Sequence, residues 1–240
     1  MTIPTLAGII DRRMLINYRV DPTVLQNILP PPFRPVVVGG FGMAGICLIR
    51  LKHVRPKGLP EFAGLSSENG AHRIAVTLTE NGVSKQGVYI PRRDTSSAFN
   101  TWVGGRLFPG VHHRAAFTVN ERQGHLAVSF TSADGTFLSI DAEESNHWNP
   151  NSVFENLEQA SDFFKNGSHG YSPDTRGAYD GLALKAFAWK VTPLQVQGVR
   201  SSFFEDRSRF PEGAVTFDNA LLMKNIAHEW DSLATLRTEA

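Results

Sequence analysis

Alternation of apolar and polar positions runs through much of the chain and predicts short strands rather than long helices. In residues 13–21, Met14, Ile16, Tyr18 and Val20 fall on one face and Leu15, Asn17 and Arg19 on the other, the period of two that marks a strand. Asp21 then caps and Pro22 opens a short helix with Val24, Leu25 and Ile28 as its apolar stripe, and Pro30-Pro31-Pro32 stops it. Runs rich in branched residues at 36–38 and 43–54, split by Gly39-Gly40, read as two more strands. A loop with several Pro and Gly residues over 55–70 delivers Glu68, within Ser66-Ser67-Glu68-Asn69-Gly70, to the mouth of a strand at 72–79. Asn81-Gly82 is a hairpin tip, and its return strand, 83–90, is closed by Pro91.

The period then changes. Ala98, Trp102 and Arg106, and separately Phe99, Val103 and Leu107, recur at intervals of four and predict a helix over 97–107, capped by Asp94 or Thr95 and ended by Pro109-Gly110. In the strand that follows, His113, Ala115, Phe117 and Val119 share the more apolar parity, so His113 is expected to point toward the core and His112 and Arg114 away from it. Strands at 126–133 and 136–141 come next, with turns at Gln123-Gly124 and Asp134-Gly135. Ser152-Val153-Phe154-Glu155 has capping-box spacing and is expected to open a helix carrying Phe154, Leu157, Phe163 and Phe164. Residues 168–180 read as loop, and 183–191 with 194–205 as a hairpin about Thr192-Pro193. The 215–226 run is ambiguous between helix and strand, with the balance on strand. Short strands joined by tight turns predict an α+β fold: a strongly curved antiparallel β-sheet or closed β-barrel with a few outer helices.

Composition narrows the function classes. A length of 240 residues suits one domain spanning 1–240, and a formal charge of +1 offers no footprint for nucleic acid or an anionic membrane. Cys47 is the single cysteine, which excludes an internal disulfide. The amino terminus has no basic leader, and no apolar run approaches the ~18 residues of a spanning helix, so a soluble cytoplasmic protein is expected. Adjacent His112 and His113 would face opposite sides of a strand and no metal-site spacing occurs, so no metal is expected. Gly39-Gly40 and Gly104-Gly105 lack phosphate-loop context, and no cofactor is expected.

Three segments in order, Arg13-Met-Leu-Ile-Asn-Tyr-Arg-Val-Asp-Pro22, Ser67-Glu-Asn-Gly-Ala-His-Arg-Ile-Ala-Val76 and Gly105-Arg-Leu-Phe-Pro-Gly-Val-His-His-Arg114, resemble motifs of acetoacetate decarboxylase-like proteins. The remainder is similar to an uncharacterised branch of that superfamily. The resemblance implies that Arg19 and Glu68 occupy the family's active-site arginine and glutamate positions inside an antiparallel barrel. Where the family carries its Schiff-base lysine and the lysine beside it, this chain has His113 and Arg114. Imidazole and guanidinium form no imine, so decarboxylation by that route is not expected. What remains is Arg19, with Arg114, to bind a carboxylate, and His113 with Glu68 for proton transfer, a set suited to enolisation, dehydration or hydrolysis of a small carboxylic or keto acid. The alternative is a non-catalytic small-molecule-binding barrel in which Arg19 and Glu68 form a structural ion pair. The expected partner in either case is a small organic acid, and a homo-oligomer is compatible with both.

Overall fold

The computed structural model of the chain describes residues 4–80, 82–103, 110–175 and 177–237. In order these form β1 (Leu6–Val20), α1 (Pro22–Ile28), β2 (Arg34–Pro35), β3 (Val37–Val38), β4 (Phe41–Pro56), a 3₁₀ turn (Glu61–Ala63), β5 (Leu65–Glu80) and β6 (Val83–Thr95). There follow α2 (Ala98–Val103), β7 (His112–Arg122), β8 (His125–Ser132), β9 (Phe137–Glu144) and α3 (Leu157–Lys165). The last elements are β10 (His169–Pro173), β11 (Tyr179–Ala186), β12 (Thr192–Ser201), α4 (Ser202–Glu205) and β13 (Val215–Ser232). Sheet makes up 59% of the structure and helix 12%, as the short alternating runs predict.

One strongly curved sheet closes into a ring of nine strands, β1-β4-β5-β6-β7-β8-β9-β12-β13. A second closure is built on its flank: β10 pairs with β6 in parallel, β11 pairs with β10, and β11 also pairs with β13. The five strands β13, β1, β4, β5 and β6 are therefore covered on both faces. Their inner face carries Met14, Ile16, Tyr18, Ala44, Ile46, Leu48, Ile74, Val76 and Leu222, which fill the ring together with Phe130, Phe203 and Phe204. Their outer face carries Leu15, Met43, Cys47, Ile49, Leu221 and Met223, packed under α3 through Phe154 and Phe164. A register shift between Ile10 and Arg12 exchanges the faces of β1, so Ile10 packs outside while Arg12 has the parity of the inner residues.

Several sequence expectations change here. Glu68 lies within β5, which starts at Leu65, not in a turn ahead of a strand at residue 72. Pro91 does not end β6; the strand runs on to Thr95, past a register shift between His72 and Ile74 that leaves the proline off the regular ladder. Of the expected 97–107 helix, Ala98–Val103 is seen as α2, and residues 104–107 lie outside the described residues. The α3 cap is Asn156, accepting from the Gln159 amide, because the Asp218 carboxylate takes Ser152 Oγ at 2.6 Å and the Val153 amide at 3.0 Å. Residues 168–180 contain β10 and the start of β11, and β11 and β12 do not pair with one another: β12 pairs with β9 and β13. The ambiguous 215–226 run is strand, part of β13.

Candidate functional site

Four charged side chains meet near one end of the nine-stranded ring. Arg12 Nη2 donates to Glu68 Oε2 at 2.5 Å and Arg50 Nε to Glu68 Oε1 at 2.5 Å, so both oxygens of that carboxylate are occupied. Glu121 reaches the same pair from β7, bonding Arg12 and, at 2.9 Å, Arg50 Nη2. Asp11, paired with Lys52 at 2.7 Å, extends the network through Arg50. Burial acts to raise the Glu121 pKa, but the hydrogen bonds and charges of Arg12 and Arg50 outweigh it and hold the carboxyl below its ordinary value. Arg12 is only 2% exposed. The network is balanced in charge, and Arg12 Nε is the buried nitrogen in it that lacks a hydrogen-bond partner among the described residues.

The other expected site residues do not join Glu68. Arg19 has the outer parity of β1; it donates to the Asn151 carbonyl at 2.7 Å, stands 3.7 Å from Asp218 and lies over the Phe41 ring. The expected Arg19–Glu68 ion pair is thus not formed, because Glu68 is on the inner face and is taken by Arg12 and Arg50. His113 is opposite Asp94 in the β6–β7 register and has the inner parity of Ala115, as its sequence position suggested, while Arg114 is opposite Thr95 and exposed. His113 and Arg114 make no side-chain hydrogen bond among the described residues.

A cavity of about 330 Å³ opens on the opposite, outer face of the same strands. Its walls are largely apolar, from Leu6, Ile49, Leu51, Leu65, Leu182 and Trp230, and its polar lining residues are Arg55, Ser67, Asn69, Arg93, Asp94 and His112. Arg93 and His112 are register neighbours on β6 and β7, and Ala71 of β5 is the next residue in that row. Arg93 Nε donates to Ser172 Oγ at 3.1 Å, and among the described residues Arg93 makes no other side-chain hydrogen bond and no ion pair. Gly110 makes this approach possible: its φ is +77°, and a Cβ there would fall 2.6 Å from Ser172 Cβ. Burial lowers the Arg93 pKa to about 10, which still leaves the group charged at neutral pH. The cavity's other arginine, Arg55, is occupied by the Leu59 and His53 carbonyls, both at 2.8 Å, and by Glu61 at 3.6 Å.

His112 is neutral near pH 7. Burial first, then the charge of Arg93, push it down to about 3. Its Nδ1 lies 3.2 Å from the Gly110 carbonyl, which can only accept, so the ring proton belongs on Nδ1. Beyond the cavity on the same outer face, Arg73 bonds Asn17 and lies 5.0 Å over the Phe164 ring, and Arg13 Nε donates to Cys47 Sγ at 3.3 Å. Neither has a carboxylate partner among the described residues. The outer face is therefore biased toward positive charge, whereas the network on the inner face is balanced.

Sequence reasoning missed Arg93, taking Pro91 as the end of its strand; the signal available was the pair of arginines directly after that proline. Arg12, Arg50 and Glu121 were also missed, since each is an ordinary surface residue type in its own strand.

A curved sheet closed into a nine-stranded ring, with few helices outside it, defines the class as a closed β-barrel. Within that class, the chain belongs to the DUF2071 family, described as an uncharacterized conserved protein, which matches residues 10–207. Its fold is that of acetoacetate decarboxylase-like proteins. It is similar to acetoacetate decarboxylase from Legionella pneumophila, at 12% identity and a TM-score of 0.61 over 97% of this chain and 88% of that one. An acetoacetate decarboxylase-like enzyme from Sphingomonas wittichii RW1 is similar at 12% identity and TM-score 0.61, over 99% and 94% of the two chains. The enduracididine biosynthesis enzyme MppR in complex with pyruvate is similar at 11% identity and TM-score 0.55, over 98% and 90%. A comparison with curated protein sequences gives no match. Among the described residues no helix is long and apolar enough to cross a membrane.

Proposed function

We propose that the protein binds a small carboxylic or keto acid in the outer-face cavity, with the Arg93 guanidinium on the carboxylate. The observation that carries this reading is the state of Arg93: a charged group at the wall of a largely apolar cavity, held by one serine hydroxyl, with no other side-chain hydrogen bond and no ion pair among the described residues. A carboxylate completes such a fork through two parallel charge-assisted hydrogen bonds. His112, adjacent in register and neutral, is suited to share or move the proton of a second oxygen on the ligand. The pyruvate complex of MppR supports this ligand class on a related fold. The proposal moves the carboxylate contact from Arg19 and Arg114 to Arg93, and the acid–base position from His113 and Glu68 to His112.

Imine chemistry is no part of the proposal, because no lysine among the described residues lines the cavity and the resemblance implies that His113-Arg114 take the place of the superfamily's lysine pair. Titration calorimetry across pyruvate, acetoacetate and larger acids tests the reading. Arg93→Gln is expected to weaken binding about ten- to a hundredfold, the equivalent of about 1.5–3 kcal/mol. The melting temperature should hardly move, because the substitution strands no carboxylate. Equal affinity in wild type and variant would remove the proposal. Borohydride treatment with bound keto acid is expected to leave no covalent adduct, and a stable adduct would mean that a lysine outside this cavity carries the chemistry.

A further inference from the structure

Resting on that reading of Arg93, we infer that the ligand is a monocarboxylic acid with an extended hydrocarbon chain, not a three-carbon acid. The cavity's volume, about 330 Å³, lies in the range of pockets that hold drug-sized molecules, which run from about 300 to 1,000 Å³. A molecule the size of pyruvate would satisfy Arg93 and leave most of the apolar wall uncovered. The polar groups of the lining are mostly committed within the protein. Arg93 and His112 are neighbours, Arg55 is committed to two carbonyls and Glu61, Asn69 to Ser67 and Thr95, and Asp94 to Arg92 and Ser132, so the cavity offers an acid one cationic end and a mostly apolar remainder.

The apolar wall continues outward. Leu65 and Phe99 line the cavity and are 49% and 45% exposed. Phe62, in the 3₁₀ turn beside the cavity residue Ala63, is 89% exposed; Leu59 precedes it, and Val111 adjoins His112. Five of the nine exposed large hydrophobic side chains among the described residues therefore belong to segments that form this rim. An exposed apolar patch of this kind needs an occupant. A chain anchored at Arg93 and running out past Leu65 and Phe99 covers it, with carboxylate at the guanidinium and methylenes on the walls.

A homologous series of straight-chain saturated acids from three to fourteen carbons, measured by calorimetry below their micellar concentrations, tests the inference. Affinity is expected to rise about three- to fourfold per methylene until the rim is covered. Phe62→Ser and Phe99→Ser should weaken the longer acids and leave the shortest unchanged, whereas Arg93→Gln should weaken every member. The corresponding methyl esters should lose the Arg93-dependent part. Affinity that is flat with chain length but still dependent on Arg93 would overturn the chain inference and leave the acid-binding reading in place. Binding that never depends on Arg93, at any length, would remove both.

Discussion

Glu68 and Arg93 are both ionisable residues on adjacent strands, yet the faces they occupy give them opposite roles. Glu68 neutralises Arg12, which is enclosed by protein, and shares Arg50 with Glu121. Glu68→Ala would leave the Arg12 guanidinium to Glu121 and Arg50 to Glu121 and Asp11, and breaking a buried pair from one side costs about 3–5 kcal/mol. Denaturant unfolding is therefore expected to show a large loss of stability for Glu68→Ala, while acid binding by the surviving folded protein is unchanged. Loss of binding at full stability would assign Glu68 to the site instead. The sequence could indicate that Glu68 was special only by resemblance, since its partners Arg12 and Arg50 are 56 and 18 residues away. The alternation Glu68, Gly70, His72, Ile74 does carry its inward parity, once the strand is recognised as starting before the Ser-Asn-Gly turn signal. His113 was placed by the same alternation. Arg19 was misplaced because parity along β1 says which residues share a face but not which face is the interior of a sheet covered on both sides.

At the scale of elements, long strands with clear alternation were legible: β4, β7, β8 and β9 lie where apolar periodicity puts them, and so does the second half of β1, which begins at Leu6 and not at residue 13. The flanking closure was not. β10 has five residues, including Gly170, Ser172 and Pro173, and its partners β6 and β11 share no local pattern with it. Short strands of turn-type residues become strands through pairing, which is tertiary information. The α3 start follows the same logic. Ser152 and Glu155 have capping-box spacing, but Asp218 draws Ser152 and the Val153 amide away, and the helix opens four residues further on, at Asn156. Asn156→Ala is expected to cost about 1 kcal/mol by chemical denaturation, and Ser152→Ala, if its role is instead the contact with Asp218, should leave the helix content measured by circular dichroism unchanged. A loss of helix on replacing Ser152 would restore the capping-box assignment.

For the whole molecule, two closures sharing five strands leave histidines enclosed without the means to ionise, and this sets how stability responds to pH. His72 has no exposed surface, sits among the Phe130, Phe203 and Phe204 rings and has no hydrogen bond on either ring nitrogen. Asp94 Oδ2 is 3.9 Å away but accepts from Arg92 Nε at 3.0 Å, while Oδ1 accepts from Arg92 Nη2 at 2.7 Å and Ser132 at 2.6 Å, so the carboxylate is already paired. Burial, then the charges of Arg92 and Arg209, take His72 down to about 3. Burial likewise takes His112 to about 3 and His228 to about 4, from an ordinary value of 6.5. In each case the folded value is depressed. The unfolded chain therefore binds the proton first as pH falls; the contribution to stability is complete above pH 6.5 and is lost progressively from there toward pH 3 to 4. Each such histidine adds a slope of up to about 1.4 kcal/mol per pH unit inside that window. The carboxyls with lowered values, Glu121, Glu205, Asp11, Asp134 and Asp206, begin from ordinary values of 4.5 for glutamate and 3.8 for aspartate, so their losses come at lower pH. Urea unfolding between pH 8 and pH 5 isolates the histidines: stability should be level to about pH 7 and then fall with increasing steepness. His72→Leu, which keeps the aromatic cage apolar, should reduce the slope below pH 6 by about 1.4 kcal/mol per unit. A wild-type profile that stays level down to pH 5, or a variant with the same slope as wild type, would mean that these imidazoles take up protons inside the folded protein, and that the enclosure described for His72 is open to water.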